Sequence, residues 1–153
     1  THDLPAEIDR HGLEVLDRDV CLQLLAEATI GRVGVSHGAL PVVLPVNFVL
    51  TDVGVVFRTR RGTKLDAAVD GAVVAFEADA FDPLFHSGWS VVVTGVAAIH
   101  DVADLPERAQ LAPRWATPGH LDDERYVLIP TEIVSGRRVG RDVALPIASP
   151  IQH

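Results

Sequence analysis

Hydrophobic residues recur at two periods along this chain, and the switch between them marks its elements. Cys21, Leu24, Leu25 and Ala28 follow the i, i+3, i+4, i+7 spacing of one buried helix face. Asp17 stands at the N-cap, with Leu16 and Cys21 at the staple positions on either side. From Thr29 the period becomes two. Residues 29–36 read as a strand, His37-Gly38 as a turn, and residues 40–51 as a longer strand. Its apolar face is Val42, Leu44, Val46, Phe48 and Leu50, so Asn47 lies opposite the core. Pro41 and Pro45 lack ladder donors, which predicts an irregular or edge strand there.

Asp52-Val53-Gly54 turns the chain into a strand over residues 53–59. A short amphipathic helix is expected over residues 63–69, closed by Gly71. Residues 72–78 read as a strand, 79–88 as a loop and 89–99 as a long strand. Asp104 opens a third helix that Pro113 limits. A polar loop with Pro118 and Gly119 precedes a last strand over residues 125–134, and Ser135-Gly136-Arg137-Arg138 leads out. About six strands and three short helices, in mostly antiparallel order, predict a small, mainly β barrel with helices at its ends or seam. Residues 1–14 read as an N-terminal arm, 15–141 as one barrel domain and 142–153 as a mobile C-terminal tail.

Composition narrows the classes. The 153 residues suit one domain with a real core, and 48% are apolar. A net charge of −8 argues against a general nucleic-acid binder, which needs a broad basic face. Cys21 is the only cysteine, so no intrachain disulfide forms, which fits the cytoplasm. Cys21 itself reads as a core residue rather than a nucleophile. No apolar run reaches the length of a membrane span, and residues 1–10 hold no signal-peptide core. With no methionine even at the start, the chain is expected to be processed or trimmed at its beginning. None of the seven histidines shows a metal-ligand spacing, so no metal site is expected.

Against that acidic background, Arg58-Thr59-Arg60-Arg61-Gly62-Thr63-Lys64 concentrates basic and hydroxyl side chains where a strand hands over to a helix. Free backbone N–H groups, a positive dipole end and cationic side chains there suit a phosphate. It is not a Walker loop, because Arg58 stands where the first glycine would be. A solvated rim of arginines is the plainer alternative.

Four segments in order resemble the FMN-binding split-barrel superfamily of pyridoxamine 5′-phosphate oxidase-like proteins. They are Thr29-Ile30-Gly31-Arg32-Val33-Gly34-Val35-Ser36 after the capped helix, Leu44-Pro45-Val46-Asn47-Phe48-Val49, Phe57 to Leu65, and Gly88-Trp89-Ser90 to Gly95. The likeness covers most of residues 15–138 and is nearest the flavin-binding or nitroimidazole-resistance-like subgroup. It implies a six-stranded split β-barrel with short flanking α-helices, a homodimer, and FMN at the dimer interface. Arg58, Thr59, Thr63 and Lys64 match the phosphate-binding positions. Pro45, Val46 and Asn47 match the strand on which the ring rests, with the Asn47 amide at the pyrimidine edge. Trp89 and Ser90 match a position that approaches the flavin from the partner subunit; Trp89 reads equally as a core anchor.

The implied activity is flavin-dependent oxidoreduction of a small-molecule acceptor, with no catalytic acid or base evident. The alternatives are a deazaflavin-dependent reductase on the same fold and a protein that holds flavin or haem without turnover. His86 would be the haem ligand, the less favoured reading. The closing strand lacks the tryptophan and histidine of the classical oxidases, so pyridoxamine 5′-phosphate is not the expected substrate.

Overall fold

The computed structural model describes residues 7–114 and 124–140. The expected tail, and the polar loop around Pro118 and Gly119, lie outside the described residues. The elements run β1 (Glu14–Leu16), α1 (Arg18–Glu27), β2 (Ile30–His37), β3 (Leu40–Leu50), β4 (Gly54–Arg60), α2 (Lys64–Val69), β5 (Val73–Asp82), β6 (Ser87–Val96), β7 (Ala98–His100), β8 (Glu124–Pro130) and β9 (Ile133–Val139). Among the described residues the nine strands form one antiparallel sheet in the order β1-β9-β6-β5-β2-β3-β4-β8-β7, curled into a half-barrel. The core lies inside the curl, centred on Phe48, Phe57 and Phe76, with Leu25 of α1 and Val69 of α2 packed in. Phe48 and Phe76 meet edge to face, ring centroids 4.7 Å apart.

The mainly β class is as expected, but the strand count is nine rather than six. The terminal segment read as one strand with a lead-out is two strands. Pro130, which has no N–H, ends β8 beside β4; β9 then pairs with β6, taking in Ser135 to Arg138. The end of the supposed arm joins the sheet as β1, with Glu14 opposite Arg138. The long strand over residues 89–99 breaks at Ala97, whose N–H donates to Ala72 and whose carbonyl accepts from Gly71. Beyond this break the chain forms β7, which pairs with β8.

The loop expected over residues 79–88 is mostly ladder, because Asp79↔Ser90 through Asp82↔Ser87 continue the β5–β6 hairpin. Its turn is held by the Asp82 carboxylate, which accepts from the N–H groups of Leu84 and Phe85. The helix expected from Asp104 is two 3₁₀ turns, Val102–Asp104 and Glu107–Leu111, separated at Pro106. Asp17 caps α1 as expected, accepting from the N–H of Val20 at 2.9 Å, with Leu16 and Cys21 buried beside it. Burial pushes the Cys21 thiol pKa up, in keeping with a core role.

Candidate functional site

The half-barrel opens between β3 and β4. These strands pair only from Phe48↔Phe57 to Leu50↔Val55; earlier residues of β3 follow β2 instead. Into the gap opens a cavity of about 450 Å³ lined by Leu44 and Pro45 on one side and Arg58, Thr59, Arg60, Thr63 and Leu65 on the other. Its size lies within the usual range for small-molecule sites, about 300–1,000 Å³. Pro45 explains part of the opening, since it cannot donate a ladder bond toward β4.

The turn carrying the basic residues is fixed by its own hydrogen bonds. Gly62 adopts φ +80°, which a glycine takes without strain. Thr63 caps α2, its hydroxyl accepting from the Asp66 N–H at 3.2 Å and donating to the Arg60 carbonyl at 2.8 Å. The Asp66 carboxylate reaches back to accept from the N–H of Gly62 at 3.1 Å. The pattern is close to a capping box, with Asp66 as the third residue of the helix, but its carboxylate returns to Gly62, one residue before the N-cap.

Four of the expected cofactor residues, Pro45, Arg58, Thr59 and Thr63, meet at this cavity. Lys64 follows at the start of α2, exposed. Thr59 is 2% exposed, and its hydroxyl has no hydrogen-bond partner among the described residues. Arg58 is already engaged: Nη1 donates to Glu124 at 3.1 Å, Nη2 to the Gln110 carbonyl at 2.9 Å, and the guanidinium stacks 4.7 Å from the Tyr126 ring. Among the described residues only its buried Nε lacks a partner. Val46 is 1% exposed, its side chain in the core, while Asn47 is half-buried on the outer face opposite Ile30.

Trp89 and Ser90 lie apart from this cavity, on β6, lining a shallow depression of about 200 Å³ with Arg137 and Arg138. Among the described residues the two groups line separate cavities. Arg60, part of the basic cluster but not among the matched cofactor positions, also lines the cavity, and sequence reasoning gave no site role to Leu44 and Leu65 on its wall. It also missed Arg125, which stands opposite Thr59 on β8 with Nε 3.5 Å from the Asp66 carboxylate. No local pattern reveals Arg125; only the β4–β8 register brings it there.

An antiparallel half-barrel with a basic turn at its open seam defines the class, a small, mainly β-barrel domain. The pyridoxamine 5′-phosphate oxidase family model matches residues 17–138, and the chain belongs to that family. The uncharacterized protein Rv0080 of Mycobacterium tuberculosis is 42% identical over 137 residues, 86% of this chain and 88% of that protein. The structure of the FAD binding protein from Mycobacterium smegmatis is 36% identical, with TM-score 0.69, covering 82% of this chain and 98% of that one. A FAD-binding protein from Mesorhizobium loti, 23% identical with TM-score 0.65, covers 83% of this chain and 98% of its own, and shares the fold.

Proposed function

We propose that this protein binds a phosphate-bearing flavin, FMN in the first instance, in the cavity between β3 and β4. The observation that carries this reading is the pair of buried donors without partners among the described residues, the Thr59 hydroxyl and Arg58 Nε, on residues lining one cavity with Arg60, and Lys64 next in the chain to Thr63. Buried polar atoms are rarely left unbonded in native proteins, so an unpaired set at a cavity wall fits an absent ligand. Lys64 and Arg60 would hold the phosphate by charge, and Thr59 and Arg58 would each donate one hydrogen bond. Pro45, with the backbone at Val46 and the Asn47 amide, would support the ring. FAD is the second reading, favoured by the FAD-binding relative at 36% identity. Binding titrations test this: FMN should bind at least about tenfold more tightly than riboflavin, which lacks the phosphate. Equal affinities would overturn it.

Activity would be oxidoreduction of a small-molecule acceptor, in the cytoplasm. The bound flavin would supply the electron chemistry; the chain would bind it, orient it and shield it from water. Loss of the flavin's visible absorbance when NADPH is added would support turnover. Formation of pyridoxal 5′-phosphate at roughly one per second or faster would contradict the expected exclusion of the classical oxidase reaction.

The flavin site is also expected to be completed by a second copy, bringing Trp89 and Ser90 to it. The outer face of the β3-β2-β5-β6-β9 sheet supports a homodimer. One row across it reads Val43, Gly34, Ala75, Thr94 and Ile133. Val43 and Ile133, with Ile30, Val73 and Val96 on the same face, are each more than half exposed. An apolar face of this kind marks an interaction surface, and its small central residues permit close approach. Light scattering should give a dimer at micromolar concentration, and Ile133→Glu should give a monomer. A wild-type monomer with flavin bound would refute the pairing.

A further inference from the structure

The basic turn contains a contradiction. Asp66 is 7% exposed and stands in the first turn of α2, bonded back to the turn that presents Arg60, Thr63 and Lys64. Its Oδ2 accepts from Gly62, and its own N–H donates to Thr63, so it orders the backbone on which those residues stand. It also puts a carboxylate beside a site meant for an anion. A charge of the wrong sign behind the cavity wall weakens phosphate binding unless it is offset.

The offset comes from β8. Arg125 stands in register with Thr59 and on the same face of the sheet. Its Nε lies 3.5 Å from Asp66 Oδ1, and neither atom has a hydrogen-bond partner among the described residues. Neither Asp66 nor Arg125 lines the cavity wall; both stand behind it, and the charge of Arg125 acts on Asp66 at 3.5 Å. We propose that Arg125 is a positioning residue for anion recognition: it neutralises and steadies Asp66, so that the carboxylate can order the turn over residues 60–63 without repelling the bound phosphate. The inference rests on the flavin-phosphate reading above.

The test pairs two ligands with three variants and reads equilibrium binding by fluorescence titration. Arg125→Gln should weaken FMN about tenfold and leave riboflavin unchanged, so the preference for the phosphate collapses. Arg125→Lys, which keeps the charge, should retain most of that preference. Arg125→Gln combined with Asp66→Asn should recover part of it, because the repelling charge is gone; coupling of this kind is what contacting residues show in double-mutant cycles. A merely structural Arg125 would weaken both ligands together and would not be rescued. An Arg125 that touches the phosphate directly would lose FMN selectively, again without rescue by Asp66→Asn. Either result overturns the proposal. A wild-type protein that does not distinguish FMN from riboflavin instead sinks the flavin-phosphate reading, and the role of Arg125 with it.

Discussion

The two halves of β4 obey different rules. From Val55 to Phe57 the strand has a partner on each edge, β3 on one side and β8 on the other. Val55, Val56 and Phe57 are all 0% exposed, facing the barrel core and the smaller cluster under the 3₁₀ turns by alternation. From Arg58 to Arg60 only the β8 ladder remains. Here Arg58 and Thr59 are also buried, yet each keeps a polar atom without a partner among the described residues. Such an atom costs about 1–3 kcal/mol. The first half is built for stability alone. The second gives some stability up, and it does so where the seam opens.

The largest expected effect breaks the closed half. Phe57→Ala should cost about 3–5 kcal/mol, since the ring is fully buried among Phe48, Phe76 and neighbouring valines. Chemical denaturation checks this. A loss under about 1 kcal/mol would mean that the core is not organised around that ring.

Arg58→Ala tests whether the open half also carries structure. Removing it leaves the buried Glu124 and the Gln110 carbonyl without this contact and should cost about 3 kcal/mol. It should also lower the FMN-to-riboflavin ratio, but only about threefold, since Nε alone is uncommitted among the described residues and gives the phosphate a single hydrogen bond. A variant with normal stability and a collapsed ratio would make Arg58 a phosphate anchor first and a clamp second. Lys64→Ala should show the reverse. FMN should bind about tenfold more weakly, a loss of about 1.5 kcal/mol, while the melting temperature of the flavin-free protein stays put.

The contrast between these residues shows how much the sequence could reveal. The basic cluster, the capped helix α1 and the alternation along β3 were all local patterns, and each could be read. The commitment of Arg58 to Glu124, Gln110 and Tyr126 was not, because its partners come from segments far along the chain. The same holds for Arg125 behind Asp66. Extra strands were missed for a related reason. β1 and β7 are three residues each, too short to show a period, and they exist because a neighbour offers an edge. The hairpin past Asp79 was read as loop because its polar and aromatic residues lack a buried face, although the ladder runs on.

The smallest expected effect lies away from the seam and shows whether charge alone, wherever placed, tunes the site. On the outer sheet face Glu77 and Asp79 of β5 flank Arg32 of β2, at 3.5 and 3.4 Å. Burial first, then the neighbouring Asp79, pushes the Glu77 carboxyl up to about 7 from its ordinary 4.5, against the pull of Arg32. An unfolded glutamate releases its proton near the ordinary value; the folded one holds it to about 7. The folded state therefore carries the extra proton between those values, and stability falls as pH rises through that window, with the loss complete above it. Glu77→Gln cannot ionise and escapes the loss. Its melting temperature relative to wild type should climb between pH 5 and pH 8. The Glu77 side chain is 29% exposed, so solvent screens the charge and the gain should be only about 1 kcal/mol, or roughly 2–4 °C. The FMN-to-riboflavin ratio should not move. A flat melting difference across that range would remove Glu77 as a source of pH dependence. A shifted ratio would show that the seam responds to charge at a distance, and that the division between the two halves of β4 is less local than their hydrogen bonds imply.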